Sequence, residues 1–305
     1  MRIAIAGAGD LARYLAEELL NASHEVVVLS RRAAPWFERK GISLRLTDYS
    51  VPSLIKELSD CEGLVSAILD YSMRSATVHL ALLEACRQSP RCKKYIPSEY
   101  AGNTDEFPDQ PSFYFANHEP VRKALREQNE VMWTLFNLGW LTDYLVPSNL
   151  RYIKDIGEYH PINLSENTFK IPGTGEEPIG FTSARDAARA IVRLMSYDEW
   201  EPIIYVCGET ATWNKVKDII IKRGGNPLVS YRPKEMVQRQ IDDAESYDKV
   251  TSAQYEMWSI SGAGLLPQEK LDKQRAKYFD GLKFRTIEEF LDDADCERGT
   301  TSVAL

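Results

Sequence analysis

Short apolar runs and amphipathic periods alternate over the first hundred residues, a pattern that predicts a doubly wound α/β fold. Residues 2–6 (R-I-A-I-A) read as a strand, 11–21 as a helix and 25–30 (E-V-V-V-L-S) as a second strand. Leu11, Leu15 and Leu19 recur at i, i+4 and i+8, giving the helix one apolar face to lay on a sheet. Residues 42–46, 63–69 and 94–97 read as further strands, with a helix over 73–87 before the last. The apolar runs do not alternate strictly with polar residues, so the strands are expected to be covered on both faces and parallel.

Beyond residue 100 the pattern loosens. Residues 102–111 form a polar, proline-bearing loop, followed by a helix over 117–128 and a strand over 131–136. Residues 141–180 carry short apolar pieces broken by Pro147, Pro161, Pro172 and Pro178. Helical periodicity returns at 185–195 and again at 213–223, around a strand at 203–207, and the remainder is largely helical and charged. The reading is a Rossmann-type doubly wound parallel sheet with a smaller C-terminal α+β substrate lobe. Residues 1–140, with 180–212 returning to them, make the dinucleotide-binding part. Residues 141–179 and 213–295 make the lobe, and 296–305 a frayed tail.

Charge and cysteine usage narrow the classes. In 305 residues, 45 acidic side chains outnumber 37 basic ones, for a net charge of -8. An acidic surface repels phosphate backbones, so no nucleic-acid partner is expected. No apolar stretch approaches the roughly 20 residues that cross a bilayer, and the opening apolar run is too short for an export signal. Five scattered cysteines without a C-x-x-C spacing point to no metal and no disulfide framework. Cys86 and Cys92 are read as spectator thiols. These features together describe a soluble, cytoplasmic protein, monomer or homodimer. Zinc-protease, serine-hydrolase and P-loop motifs are absent from the sequence.

The turn after the first strand carries the chemistry. Gly7-Ala8-Gly9-Asp10-Leu11-Ala12 is G-x-G-x-x-A between a strand and a helix, the context in which this motif binds a dinucleotide. Gly7 makes the tight turn, Gly9 lets backbone approach a pyrophosphate, and Ala12 is small enough for close helix–strand packing. With Asp10 and Leu11, the helix start supplies free N–H groups for phosphate. The second strand ends in Leu29-Ser30-Arg31-Arg32, with Lys40 downstream, where an NAD site usually has a carboxylate. Ser30 can donate a hydrogen bond to a 2′-phosphate, and guanidinium groups can clamp it. The predicted cofactor is therefore NADP(H). Ser66 and Ala67 close the fourth strand, where small residues let a cofactor pass, and Ser98 follows the fifth.

These segments resemble a known family. The glycine loop, Leu29-Ser30-Arg31, Tyr95-Ile96-Pro97-Ser98-Glu99-Tyr100-Ala101-Gly102 and Val121-Arg122-Lys123-Ala124-Leu125 are similar to those of NmrA-like and isoflavone-reductase-like proteins. So are Gly173-Thr174-Gly175 and Phe181-Thr182-Ser183-Ala184-Arg185-Asp186-Ala187-Ala188. The resemblance covers residues 1 to about 230 and implies an atypical short-chain dehydrogenase/reductase, with a substrate cleft over the nicotinamide. It also implies a catalytic lysine three residues before the Val-Arg segment, a position held here by His118. Tyr114 and His118 stand at the Tyr-x-x-x-Lys spacing of the wider superfamily, with His in place of Lys. If the segment is helical, both side chains share one face. Pro120 fits a helix only in its first turn, which would leave Tyr114 in the preceding loop.

His118, with an ordinary pKa near ~6.5, is the expected acid/base, assisted by Tyr114 or Tyr100. The aromatic stretch 133–147 offers Trp140, Asp143 and Tyr144 to a large, flat, apolar substrate. The expected function is an NADP(H)-dependent oxidoreductase for a bulky hydrophobic small molecule of the secondary-metabolite class. Net reduction and a redox-neutral isomerisation or cyclisation are equally compatible with these residues. A non-catalytic NADP-sensing regulator is the alternative.

Overall fold

The computed structural model describes residues 1–297 and 305. The chain opens with β1 (Arg2–Ala6), α1 (Asp10–Asn21), β2 (Glu25–Ser30), α2 (Pro35–Arg39) and β3 (Ser43–Leu46). Next come α3 (Val51–Glu57), β4 (Gly63–Ser66), α4 (Arg74–Gln88), β5 (Lys94–Ile96), α5 (Ser112–Arg126) and β6 (Met132–Trp133). The six strands form one sheet in the order β3-β2-β1-β4-β5-β6, parallel throughout.

Both faces of this sheet are covered, which is why its strands read as continuous apolar runs. Ile3, Ile5, Val26 and Val28 pack on one side with Leu15 and Leu19 of α1. Ala4, Ala6, Val27 and Leu29 point to the other side, against Leu54, Leu82 and Leu125. The period-2 alternation of a strand thus serves two helical layers at once.

The chain continues through β7 (Leu135–Asn137), β8 (Trp140–Leu141), β9 (Ile162–Asn163), β10 (Thr168–Pro172), β11 (Ile179–Thr182), α6 (Ala184–Leu194), β12 (Ile203–Tyr205) and β13 (Glu209–Ala211). It closes with α7 (Trp213–Lys222), β14 (Leu228–Arg232), α8 (Lys234–Asp243), α9 (Tyr247–Ser261), α10 (Gln268–Tyr278) and α11 (Ile287–Glu297). The strand expected at 131–136 is broken at Thr134: β6 stays in the large sheet, while β7 pairs in parallel with β12. α6 supplies Ala187, Ile191 and Leu194 to the same apolar cluster as α1. Two three-stranded sheets, β14-β10-β9 and β13-β11-β8, fill the region that sequence left irregular. Around them Trp140, Phe169, Phe181, Trp213, Trp258 and Phe290 form a separate apolar core.

Two sequence expectations change. α5 begins at Ser112, so Tyr114 lies on the same helix as His118, and Pro120 sits inside it. The carbonyl that Pro120 leaves unbonded belongs to Ala116, and both residues are exposed, so water can satisfy it. The tail expected at 296–305 also differs. Cys296 and Glu297 finish α11, and Leu305 is buried with its N–H donating to the Leu150 carbonyl at 3.0 Å. Residues 298–304 lie outside the described residues. Among the described residues no helix is long and apolar enough to cross a membrane.

Candidate active site

Strand order places β1 beside β4, the point where the winding of the sheet reverses and where open α/β sheets take ligands. A cleft of about 890 Å³ opens there, beyond the carboxyl ends of the strands. Gly7, at φ +98°, begins it; a Cβ there would lie 3.1 Å from the Ala67 carbonyl oxygen and from Ile68. Gly9 differs, since a Cβ would meet only the Ala67 oxygen at 3.9 Å and would otherwise project into open space. No side chain caps α1, so its first-turn N–H groups remain available to an anion.

Asp10 and Leu11 line this end, and the Asp10 carboxylate accepts from the Lys154 N–H at 3.1 Å, drawing that loop across the helix start. Ser30, Arg31 and Arg32 line the far edge, both arginines exposed. Ala67, Ser98 and Tyr100 line the middle. Tyr100 takes a positive φ of +44° and its hydroxyl donates to the Ser66 carbonyl at 2.7 Å. Burial pushes its phenol well above the ordinary range.

The opposite end is aromatic. Tyr71, Tyr114, Trp140, Tyr144, Tyr255 and Trp258 converge on one volume. The Tyr71 and Tyr255 hydroxyls are 2.9 Å apart, and the Trp140 ring lies 5.5 Å from Tyr255 and 5.6 Å from Trp258. Burial raises the Tyr114 phenol well above its usual value, with the neighbouring Tyr71 and Glu99 adding to the rise. Arg122 opposes this only weakly, so Tyr114 remains protonated.

Four predicted site residues stand apart from the cleft lining. His118 lies behind Tyr114, its ring stacked on the phenol at 4.2 Å and 11°. Its Nδ1 is 2.9 Å from the Tyr114 carbonyl oxygen and its Nε2 is 3.0 Å from that of Ser98. A neutral imidazole carries one N–H and so donates to one of these two oxygens at a time. Lys40, expected at the 2′-phosphate, turns the other way: its ammonium is 3.5 Å from Glu17 and sits over Trp36. Ser66 is fully buried, with its hydroxyl 2.9 Å from His79 Nε2. Asp143, expected to face substrate, is also fully buried and accepts from the Tyr14 hydroxyl at 3.0 Å and the Ala184 N–H at 2.7 Å. It pins the turn after β8 to α1 and the start of α6, and burial raises its pKa.

Tyr71, Tyr255 and Trp258 were not anticipated. Tyr255 and Trp258 stand at i and i+3 in α9, the one signal available, and nothing local says that this helix crosses to the end of β4.

A buried ion pair supports the site from below. Arg122 donates to Glu99 at 2.5 Å and to the Pro108 carbonyl, with both charged side chains at most 3% exposed. Burial alone would push the Glu99 carboxyl up, but Arg122 overcomes this and holds it below its ordinary value. The bridge joins the Ser98-Glu99 and Val121-Arg122 segments. Arg122→Ala is expected to destabilise the fold by about 3–5 kcal/mol, because it strands a buried carboxylate. Denaturant unfolding measures this, and a loss below about 1 kcal/mol would show that Glu99 escapes to water or takes up a proton.

Among the described residues no group of three or more His, Cys, Asp or Glu side chains could hold a metal ion. The parallel sheet, its strand order and the glycine turn are those of a Rossmann-type dinucleotide-binding protein. No family model matches the chain. Full-length relatives do: proteins named oxidoreductase swnR from Arthroderma benhamiae and Metarhizium robertsii are 44% and 43% identical. Each match covers 97% of this chain and 98% of the relative. An NmrA-like family domain-containing oxidoreductase from Gibberella moniliformis is 22% identical over 67% of the chain and 63% of its own length. Among solved structures, AtPrR2 with NADP+ and (+)pinoresinol superposes with a TM-score of 0.77 at 18% identity, covering 96% of this chain and 98% of that one. The leucoanthocyanidin reductase ternary complex from Vitis vinifera gives 0.74 at 18%, covering 97% and 100%. At such identities the likeness speaks to the fold. The chain belongs to the NmrA-like, isoflavone-reductase-like family of oxidoreductases.

Proposed function

We propose that this protein is an NADPH-dependent reductase of a bulky, largely apolar small molecule. The observation that carries this reading is one continuous cleft with two chemically different ends. The glycine turn, the free start of α1 and Ser30-Arg31-Arg32 suit a phosphorylated dinucleotide, and the aromatic wall suits a flat substrate beside it. On this reading residues 1–140 and 180–212 carry the cofactor, while 141–179 and 213–295 close over the substrate. Solved relatives in fold were obtained with NADP+ or NADPH, which supports the cofactor assignment.

When bound, the dinucleotide supplies a hydride to the substrate carbon. The chain must then orient the acceptor, exclude water and deliver a proton. Tyr114 is the candidate for that delivery: it lines the cleft, and burial holds its phenol protonated against a weak opposing pull from Arg122. A phenol that starts the cycle protonated can act as the general acid of a reduction. His118 acts as a positioning residue that holds Tyr114 and the Ser98 carbonyl. A direct acid/base role would require its ring to leave Ser98.

Calorimetric titration with NADPH and NADH tests the assignment. NADPH is expected to bind at least tenfold more tightly, on the order of 1.4 kcal/mol or more. Arg31→Ala should remove most of that preference by weakening NADPH alone. Equal losses for both dinucleotides would remove Arg31 from the 2′-phosphate site.

A further inference from the structure

One buried titratable group has no part in the mechanism above. His79, on α4, is 3% exposed and lies behind the cleft. Its Nδ1 is 2.8 Å from the Ser75 carbonyl oxygen, so this nitrogen carries the proton and donates. Its Nε2 is then the acceptor, 2.9 Å from the Ser66 hydroxyl and 3.4 Å from the Ser98 N–H. Burial favours the neutral ring that this arrangement requires.

The contacts fall where the pairing of β4 with β5 ends. β4 and β5 pair in register through Val65 and Ile96. The next position on β5 is Pro97, which has no N–H, so the ladder cannot continue. Ser66, still paired with Ala6 of β1, and Ser98 lie past the last β4–β5 pair, where Pro97 offers no N–H to join them. The imidazole spans that gap. From its two ends the contacts run on to the cleft: the Ser66 carbonyl accepts from the Tyr100 hydroxyl, and the Ser98 carbonyl engages His118 Nε2. Ser75, Ala67, Ser98 and Tyr100 all line the cleft.

We propose that His79 is a positioning residue that sets the spacing of the β4 and β5 tips, and through them the seat of the nicotinamide. The inference rests on the cofactor assignment above. It touches neither dinucleotide nor substrate, and it leaves the adenosine end, built on Gly7, Gly9 and Arg31, unaffected.

The test needs no substrate. NADPH fluorescence reports how firmly the nicotinamide is held, and 2′,5′-ADP reports the adenosine end alone. His79→Leu removes every contact, His79→Gln restores an acceptor near the Nε2 position, and His79→Asn restores only a donor near Nδ1. The expected result is that His79→Leu and His79→Asn lose more than half of the fluorescence enhancement of bound NADPH, while 2′,5′-ADP affinity stays within about threefold. His79→Gln should recover most of the enhancement. Should His79→Leu fail to fold, the comparison of Gln with Asn still decides. A purely structural histidine would lower the unfolding temperature in all three and leave the enhancement per bound NADPH unchanged, which would overturn the proposal. Failure of the unmodified protein to bind NADPH would remove the cofactor assignment itself, and this inference with it.

Discussion

Tyr114→Phe is expected to lower turnover by about 10²- to 10³-fold while leaving NADPH affinity within a few fold, the loss typical of removing a positioned general acid. The substitution keeps the ring stacked on His118 and the packing against Tyr71 and Phe113, whose centroids lie 6.2 and 5.3 Å away. Only the hydroxyl goes, so a folding defect is not expected to confuse the result. His118→Ala provides the contrast. As a positioning residue it should lower turnover less than Tyr114→Phe, because water or Ser98 can relax into its place. If His118→Ala proved the more damaging of the two, proton transfer would return to the histidine, and the ring would have to swing off Ser98 during the cycle. The measurement is single-turnover NADPH oxidation once a substrate has been identified, with binding followed separately.

Acidification should weaken the fold steeply, because two buried histidines resist protonation. His79 and His160 are each depressed to about 4, chiefly by burial. His160 sits against Tyr144, Trp140 and Trp213, where an imidazolium would be poorly solvated. In the unfolded chain both titrate near ~6.5, so below that pH the unfolded state takes up protons that the folded state refuses. The stabilisation from their neutral forms is complete above pH ~6.5 and is lost progressively down to pH ~4, reaching about 2 kcal/mol per histidine near pH 5. Against a typical total of about 5–15 kcal/mol this is a large share. Asp143 works the other way, since its raised pKa lets the folded state gain a proton on acidification, and it trims the net loss. Denaturant midpoints compared at pH ~7.5 and ~5 read the effect. A midpoint unchanged between them would sink the prediction. His160→Phe should flatten the dependence by roughly half whatever its own stability.

The dinucleotide half was legible in the sequence because its signals are local. A strand of R-I-A-I-A running into G-x-G-x-x-A specifies a turn whose first glycine takes positive φ and whose second leaves a face open. The structure has both at Gly7 and Gly9. Unbroken apolar runs specify strands covered twice over, and β1, β2 and β4 are so covered. Arg31 and Ser30 reach the cleft because the end of β2 is placed by the same motif. Pro120 misled about the start of α5, because a proline on an exposed helix face does less harm than the general rule assumes.

The rest depended on chain segments far apart in sequence. Asp143 and Trp140 are three residues apart in one aromatic stretch, yet one is sealed under Tyr14 and the other lines the cleft. Side-chain direction in an irregular turn has no period to read. Lys40 was assigned by charge and proximity, and it was Glu17 on a neighbouring helix that claimed it. Tyr255 and Trp258 close the aromatic end of the cleft from a helix whose packing is set by long-range apolar contacts with Trp140. The sequence by itself determined the winding of the sheet, the phosphate turn and the cofactor class it suits, since backbone geometry and strand periodicity are written within a few residues. Only the tertiary structure decided which aromatic rings line the cleft and that His118 packs behind Tyr114 with its nitrogens toward backbone carbonyl oxygens, since those outcomes depend on which distant groups compete for each side chain.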